Sequence, residues 1–197
     1  MEKRNPIILI HGLWNTPSIF SAITSQLDNI GVEYFAPTLK HSYGMTSIID
    51  LTNIFNELIL DKYGLENQLD ILGFSMGGLI GRYWIQKFNG YKRTRRFISI
   101  GSPHKGTFIA QLVPKYPFRG ISEMKINSKF LKELSKNDFF LDDIECISFF
   151  TYWDLMVFPS WWTNLNVGEK ISLKVYKHRN LVRNCFSVEK IIEKIMT

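Results

Sequence analysis

Short apolar runs alternate along the chain with longer segments whose apolar residues recur at helical spacing. The run 6–10 is continuously apolar, which is typical of a strand buried on both faces of a parallel sheet. Further strands are predicted at 32–36, 69–74, 97–101, 144–151 and 171–176. Helices are predicted at 17–29, 45–63, 76–88 and from 187 onward, because apolar residues recur there at helical spacing. This alternation predicts an α/β domain with a mostly parallel sheet.

The chain contains 197 residues, which is enough for one domain with a sizeable core spanning 1–197. The stretch 106–143 carries no strand pattern and is predicted to hold short helices. It leaves room for a small lid or insertion, formed by 108–118, or for a segment that simply covers the sheet.

The composition is that of a globular protein, since 45 % of the residues are hydrophobic and 21 % are charged. The apolar runs are much shorter than the roughly 20 residues that cross a bilayer. No secretion signal is recognised at the start of the sequence, so a cytoplasmic location is expected. Cys146 and Cys185 are then expected to be buried thiols.

The net charge is +6, and much of the excess lies in 92–96 and in the basic residues between 174 and 183. Such a surface could favour anionic membranes or nucleic acid. No nucleic-acid-binding motif accompanies the charge, so no nucleic-acid partner is predicted. We interpret 92–96 as a solvated loop before a strand.

A serine lies between glycines where a predicted strand meets a predicted helix. The residues Gly73-Phe74-Ser75-Met76-Gly77 match the pattern G-x-S-x-G. The pattern alone is weak, but the strand before it and the helix after it are the context in which such a serine acts as a nucleophile. A turn of this kind forces unusual backbone angles on the serine and leaves no space for bulky neighbours. We therefore predict Ser75 as a catalytic nucleophile at the carboxyl edge of the sheet.

A nucleophilic serine also needs donors that stabilise the negative charge of the transition state. His11-Gly12-Leu13 directly follows the first strand. The backbone N–H groups of Leu13 and Met76 are the predicted oxyanion hole. His11 is predicted to support this loop instead of acting as a base.

A base and an orienting carboxylate complete the predicted site, in the chain order serine, acid, histidine. His178 follows the last strand and is the predicted base. Asp154 follows the fifth strand and is the predicted acid, with Glu169 as a weaker alternative. His104 follows the fourth strand and is expected to line the site.

Apolar residues next to these positions suggest a pocket for a hydrophobic acyl chain. The predicted substrate-binding residues are Trp14, His104, Val157, Phe158 and Trp161. Ordinary loop packing is an equal alternative for the tryptophans at 161 and 162.

These motifs resemble the α/β-hydrolase superfamily and, more narrowly, its small bacterial lipases and esterases of the minimal type. The resemblance rests on 6–13, 73–78, 101–107, 154–157 and His178, and it covers nearly the whole chain. It implies a three-layer sandwich with about six mostly parallel strands and helices on both faces. It also implies a Ser75–His178–Asp154 triad, no cofactor or metal, and cleavage of a small-molecule or lipid carboxylic ester through an acyl-serine.

Other functions use the same residues. An acyltransferase or a thioesterase would form the same acyl-serine with a different acceptor or leaving group, and the fold could also serve as a catalytically silent binding module. Peripheral contact with a membrane or lipid surface fits the basic charge. The sequence does not indicate an oligomeric state.

Overall fold

The computed structural model describes residues 4–197, and six strands within them form one sheet. The strands are β1 Ile7–Ile10, β2 Tyr34–Phe35, β3 Leu69–Phe74, β4 Thr94–Ile100, β5 Glu145–Phe150 and β6 Glu169–Ser172. Their order is β2–β1–β3–β4–β5–β6, and every pairing is parallel. The predicted α/β fold with a parallel sheet is confirmed.

Helices connect the strands and cover the sheet. The α-helices are α1 Ser21–Asn29, α2 Ile48–Tyr63, α3 Met76–Lys87, α4 Phe108–Gln111, α5 Arg119–Glu123, α6 Lys129–Lys136, α7 Asn180–Arg183 and α8 Cys185–Met196. Short 3-10 helices lie at Pro17–Phe20, Ser42–Gly44, Gly90–Lys92, Asp138–Leu141 and Ser160–Thr163. None of the helices between residues 4 and 197 combines the length and the apolar character needed to cross a membrane.

The sheet has a hydrophobic core on each face, which explains the continuous apolar run in β1. Ile8 and Ile10 pack on one face, against α2, α3 and the short helices of 106–143. Ile7 and Leu9 pack on the other face, against α1, α7 and α8. Successive strand side chains point to opposite faces, so a strand buried on both sides has no polar position. The result is the expected three-layer sandwich.

The last strand lies earlier in the chain than predicted. Strand β6 ends at Ser172, which is the residue paired with Phe150 at the end of β5. The Leu173 N–H makes one last bond to the Phe150 carbonyl at 2.7 Å, and beyond it the Thr151 hydroxyl donates to the Val175 carbonyl at 2.6 Å in place of a backbone pairing. Leu173 and Val175 are buried all the same, which explains why their apolar pattern extended the predicted strand.

The interpretation of 92–96 as a solvated loop was wrong. Strand β4 begins at Thr94, and the Arg96 side chain is 2 % exposed and pairs with Glu145 at 2.7 Å. Arg95 pairs with Asp70 on the neighbouring strand at 2.5 Å. These arginines therefore join β4 to its two neighbours.

The two cysteines were both expected to be buried thiols. Cys146 is buried, but Cys185 is exposed.

The short helices of 106–143 are attached to α2 by a half-buried carboxylate. Glu123, at the end of α5, accepts a hydrogen bond from the Ile48 N–H at 2.5 Å. Ile48 is the first residue of α2, so the bond satisfies one of the free amide groups at that helix end. Burial raises the pKa of Glu123 from 4.5 to about 7.

This raised pKa predicts a pH-dependent stability. The folded state holds the Glu123 proton more tightly than the unfolded state, so the free energy of unfolding falls as the pH rises from 4.5 towards about 7. Glu123→Gln carries no charge and keeps an acceptor for Ile48. We expect its free energy of unfolding, relative to that of wild type, to rise by on the order of 1 kcal/mol from about pH 5 to about pH 8.

Chemical denaturation across this pH range measures the effect, and the exposed Glu57→Gln on α2 is the control. A difference between Glu123→Gln and wild type that does not change with pH would contradict the prediction.

Candidate active site

The turn between β3 and α3 holds Ser75 in a strained backbone conformation. Its φ and ψ angles are 56° and −124°, which side-chain-bearing residues rarely adopt. A Cβ at Gly77 would collide with the Ile10 carbonyl oxygen, and one at Gly73 would collide with the backbone of Gly78. Both glycines are therefore sterically required, as the motif predicts.

The loop after β1 passes close to the serine. A Cβ at Gly12 would lie 2.7 Å from Ser75 Cβ and 3.3 Å from Ser75 Oγ. The absence of a side chain there brings the backbone of Leu13 beside the turn. The N–H groups of Leu13 and Met76 donate no hydrogen bond within residues 4–197. Met76 also begins α3, where the helix dipole is positive.

His178 and Asp154 form a buried pair at the same edge of the sheet. His178 Nδ1 lies 2.6 Å from Asp154 Oδ2. Asp154 is 2 % exposed, and its Oδ1 accepts hydrogen bonds from the N–H groups of Met156 at 2.8 Å and Val157 at 3.0 Å. Both carboxylate oxygens are thus held, which fixes the carboxylate and with it the orientation of the imidazole.

The imidazole rests on two residues that the sequence reasoning did not assign. The Phe74 ring lies 4.8 Å from the His178 ring, measured between centroids. Gly101 has a φ of 58°, and a Cβ there would lie 3.0 Å from His178 Cε1. Phe74 occupies a variable position of G-x-S-x-G, so the motif carries no signal for this contact. His178 Nε2 is buried and makes no hydrogen bond to any residue from 4 to 197, which leaves it free for a proton.

Ser75 and His178 line one cavity of about 320 Å³. Its walls come from the loop after β1, from the segment that carries α4 and α5, and from the loop after Asp154. The apolar lining consists of Leu13, Trp14, Pro103, Ile109, Ala110, Val113, Ile121, Met124, Met156 and Val157. Asn15, Thr107 and Arg179 add polar groups. The cavity is therefore suited to an apolar chain that ends beside the serine.

Two of the predicted substrate-binding residues line this cavity and three do not. Trp14 and Val157 belong to its wall. Phe158 and Trp161 lie outside it with half of their surface exposed. The walls contributed by α4 and α5 were not assigned, because these helices have only four and five residues and show no clear period.

His104 also lies outside the cavity, contrary to the expectation that it lines the site. It is 2 % exposed, and its Nε2 lies 2.7 Å from the Ser99 hydroxyl. Arg82 faces its Nδ1 at 3.4 Å and pairs with Asp138. Burial and the nearby Arg82 hold the pKa of His104 well below its usual value of 6.5. A neutral His104 accepts from Arg82 and donates to Ser99, so it supports the loop after β4 from beneath.

His11 supports its loop, as predicted. It is 1 % exposed, and its Nε2 accepts a hydrogen bond from the Leu39 N–H at 3.0 Å. Burial lowers the pKa of His11. It joins the loop after β1 to the segment after β2.

One hydroxyl joins the segment 106–143 to the loop after Asp154. Thr107 Oγ1 donates to the Met156 carbonyl at 3.0 Å and accepts from the Phe158 N–H at 3.1 Å. The backbone N–H of Phe108 donates to the Phe158 carbonyl at 3.0 Å. Two walls of the cavity are therefore connected directly.

The parallel sheet, the serine turn and the Asp154–His178 pair define an α/β-hydrolase. The family model described as palmitoyl protein thioesterase matches residues 6–156. This match covers more than half of the 197 residues, and the chain belongs to that family. No curated protein matches the chain in sequence.

Solved structures share the fold at low sequence identity. Bacillus licheniformis lipase BlEst2 in mature form is 13 % identical with a TM-score of 0.79, covering 99 % of this chain and 93 % of that one. Aspergillus fumigatus lipase B is 15 % identical with a TM-score of 0.80, covering 98 % of this chain and 53 % of that one. An extracellular α/β-hydrolase from a Paenibacillus species is 15 % identical with a TM-score of 0.68, covering 98 % and 97 %.

The Asp154–His178 pair predicts a large effect of a small substitution. Asp154→Asn keeps the shape of the side chain but presents an amide to His178 Nδ1, which disfavours the tautomer with a free Nε2. If Asp154 orients His178 as a base, we expect the turnover of a p-nitrophenyl ester to fall about 10⁴-fold, the loss known for the corresponding change in a serine protease.

The exposed Asp142→Asn, located before β5, is the matched control and should keep wild-type turnover. A loss of less than about tenfold in Asp154→Asn would show that Asp154 does not orient the base.

Proposed function

We propose that this chain is a serine hydrolase that releases a hydrophobic acyl group from an ester or thioester through an acyl-serine intermediate. The observation that carries the proposal is the position of Ser75 and His178 in the wall of one apolar cavity, with Asp154 bound to the far side of the imidazole. The family match supports hydrolase chemistry.

In the proposed reaction Ser75 Oγ attacks the carbonyl carbon of the substrate while His178 Nε2 takes the hydroxyl proton. Asp154 stabilises the resulting imidazolium through the bond at 2.6 Å. The N–H groups of Leu13 and Met76 stabilise the oxyanion. His178 then returns the proton to the departing alcohol or thiol, and the acyl group stays on Ser75. Water attacks the acyl-serine with His178 again as the base, which releases the acid and restores the site.

The choice between ester and thioester depends on the leaving group. A thiol has a pKa of about 8.5 and leaves readily as a thiolate, whereas an alkoxide needs a proton from His178. The match to a family described as palmitoyl protein thioesterase favours the thioester, and the lipases among the structural neighbours favour the oxyester. The apolar cavity suits the acyl part of either substrate.

We also propose that 106–143 acts as a small cap over the cavity. Ile109 and Ala110 of α4 and Ile121 of α5 lie in its wall. Lys125 Nζ donates to the Val113 carbonyl at 2.5 Å, which ties the two ends of the segment around α5 together. The cap is thus attached on several sides, so that substrate must enter at the mouth that it leaves open.

The first test measures turnover on matched oxyesters and thioesters with acyl chains from acetyl to palmitoyl. We expect hydrolysis that depends on chain length in wild type and falls at least about 10⁴-fold in Ser75→Ala. Ser25→Ala, which removes an exposed hydroxyl from α1, should behave as wild type. Turnover that survives in Ser75→Ala would overturn the mechanism.

Two further readouts separate the alternative functions. Acyl transfer to an added alcohol in preference to water would identify an acyltransferase on the same triad. Failure of Ser75 to react with a fluorophosphonate, together with no turnover on any substrate, would identify a silent binding module.

A further inference from the structure

The mouth of the cavity is surrounded by exposed apolar side chains. All six strands are parallel, so the loops that follow them gather at one edge of the sheet, where Ser75 lies. The exposed fractions are 82 % for Leu112, 82 % for Tyr116 and 77 % for Leu155. We call the surface formed by Trp14, Leu112, Tyr116, Trp153, Leu155 and Tyr176 the mouth surface.

These loops contact one another and form a connected surface. The Trp153 and Tyr176 rings lie 5.0 Å apart, which joins the loops after β5 and β6. The Phe108 and Trp162 rings stack at 5.8 Å, which joins the loops after β4 and β5. Arg179 donates to Asn15 Oδ1 at 3.2 Å, which joins the loop after β6 to the loop after β1. The loops that carry the mouth surface are therefore held together around the cavity.

The charge at this edge is of one sign. Within the loops 11–20, 36–47, 101–128, 151–168 and 173–184 the acidic residues are Glu123 and Asp154, which bond to Ile48 and His178. The exposed basic residues of the same loops include Lys40, Lys105, Lys115, Arg119, Lys174 and Arg179. Acidic residues lie instead at the opposite edge, before the strands, as Glu33 and Glu66 do. The positive charge is thus concentrated where the apolar side chains are.

We propose that the mouth surface docks onto an anionic lipid surface, with the cavity opening towards the lipid. Exposed Trp and Tyr side chains favour the interface between water and hydrocarbon, and Leu side chains favour the acyl region. Lysine and arginine next to them attract anionic headgroups. A nucleic acid would match the charge but not the exposed Leu112 and Leu155. The proposal concerns binding alone and does not depend on the chemistry of Ser75.

The test measures co-sedimentation of the full chain with sucrose-loaded vesicles, without substrate. One vesicle contains phosphatidylcholine alone, and the other contains equal parts of phosphatidylcholine and phosphatidylglycerol. We expect binding to the anionic vesicle and little binding to the neutral one. Each basic residue at the surface contributes about a fivefold factor, so the triple variant Lys115→Glu, Arg119→Glu, Lys174→Glu should lower the partition coefficient at least about 100-fold.

The matched control reverses three exposed lysines outside both the mouth loops and the segment 106–143, in Lys62→Glu, Lys92→Glu, Lys170→Glu. It has the same net charge as the first variant and should keep most of the vesicle binding. Leu112→Ser combined with Tyr116→Ser keeps the charge and should weaken vesicle binding about tenfold or more. All three variants are checked for folding by circular dichroism and for turnover of a water-soluble ester.

Three results would overturn the proposal. The first is no binding to anionic vesicles by folded wild type. The second is equal loss in the two charge-reversal variants, which would indicate a general effect of net charge. The third is binding to a DNA duplex that is as tight as vesicle binding and is unchanged in Leu112→Ser, Tyr116→Ser, which would identify a nucleic-acid surface. Because vesicle binding is measured without turnover, its failure leaves the proposed hydrolase function untouched.

Discussion

The site depends on one steric constraint, which is that β1, β3 and the start of α3 meet with no room for a side chain between them. A Cβ at Gly77 would occupy the place of the Ile10 carbonyl oxygen, and a Cβ at Gly12 would lie against Ser75. This contact brings the loop after β1 to the serine. Leu13 follows Gly12 and Met76 follows Ser75, so the two N–H groups of the proposed oxyanion hole come from different elements that meet at this contact.

Elements of the fold that are determined by residues adjacent in the chain could be predicted from the sequence. Strand β3 was predicted with its observed bounds, and Ser75 was placed correctly at the turn, because apolar run, glycines and helix follow one another directly. Asp154 and His178 could be found because parallel strands bring the residues after them to one edge. Their pairing at 2.6 Å agrees with that reasoning.

What could not be predicted depends on partners that are distant in the chain. The charge of Arg96 suggested a solvated loop, because the sequence does not show that Glu145 on another strand pairs with it. His104 was expected in the site because it follows a strand, and the sequence does not show that Arg82 and Ser99 bind its ring nitrogens. The apolar walls from α4 and α5 come from helices that are too short to show a period and that are positioned by packing on the sheet. In each case the decisive contact joins residues from separate elements.

The hydroxyl of Thr107 has a consequence for how the molecule can move. It is bonded at the same time to the carbonyl of Met156 and to the N–H of Phe158, while the N–H of Met156 is bonded to Asp154. A displacement of the cap at this end would pull on the backbone that holds the carboxylate. One hydroxyl thus connects the segment 106–143 to the backbone that positions Asp154, and under the proposed mechanism a movement of that segment would also disturb His178.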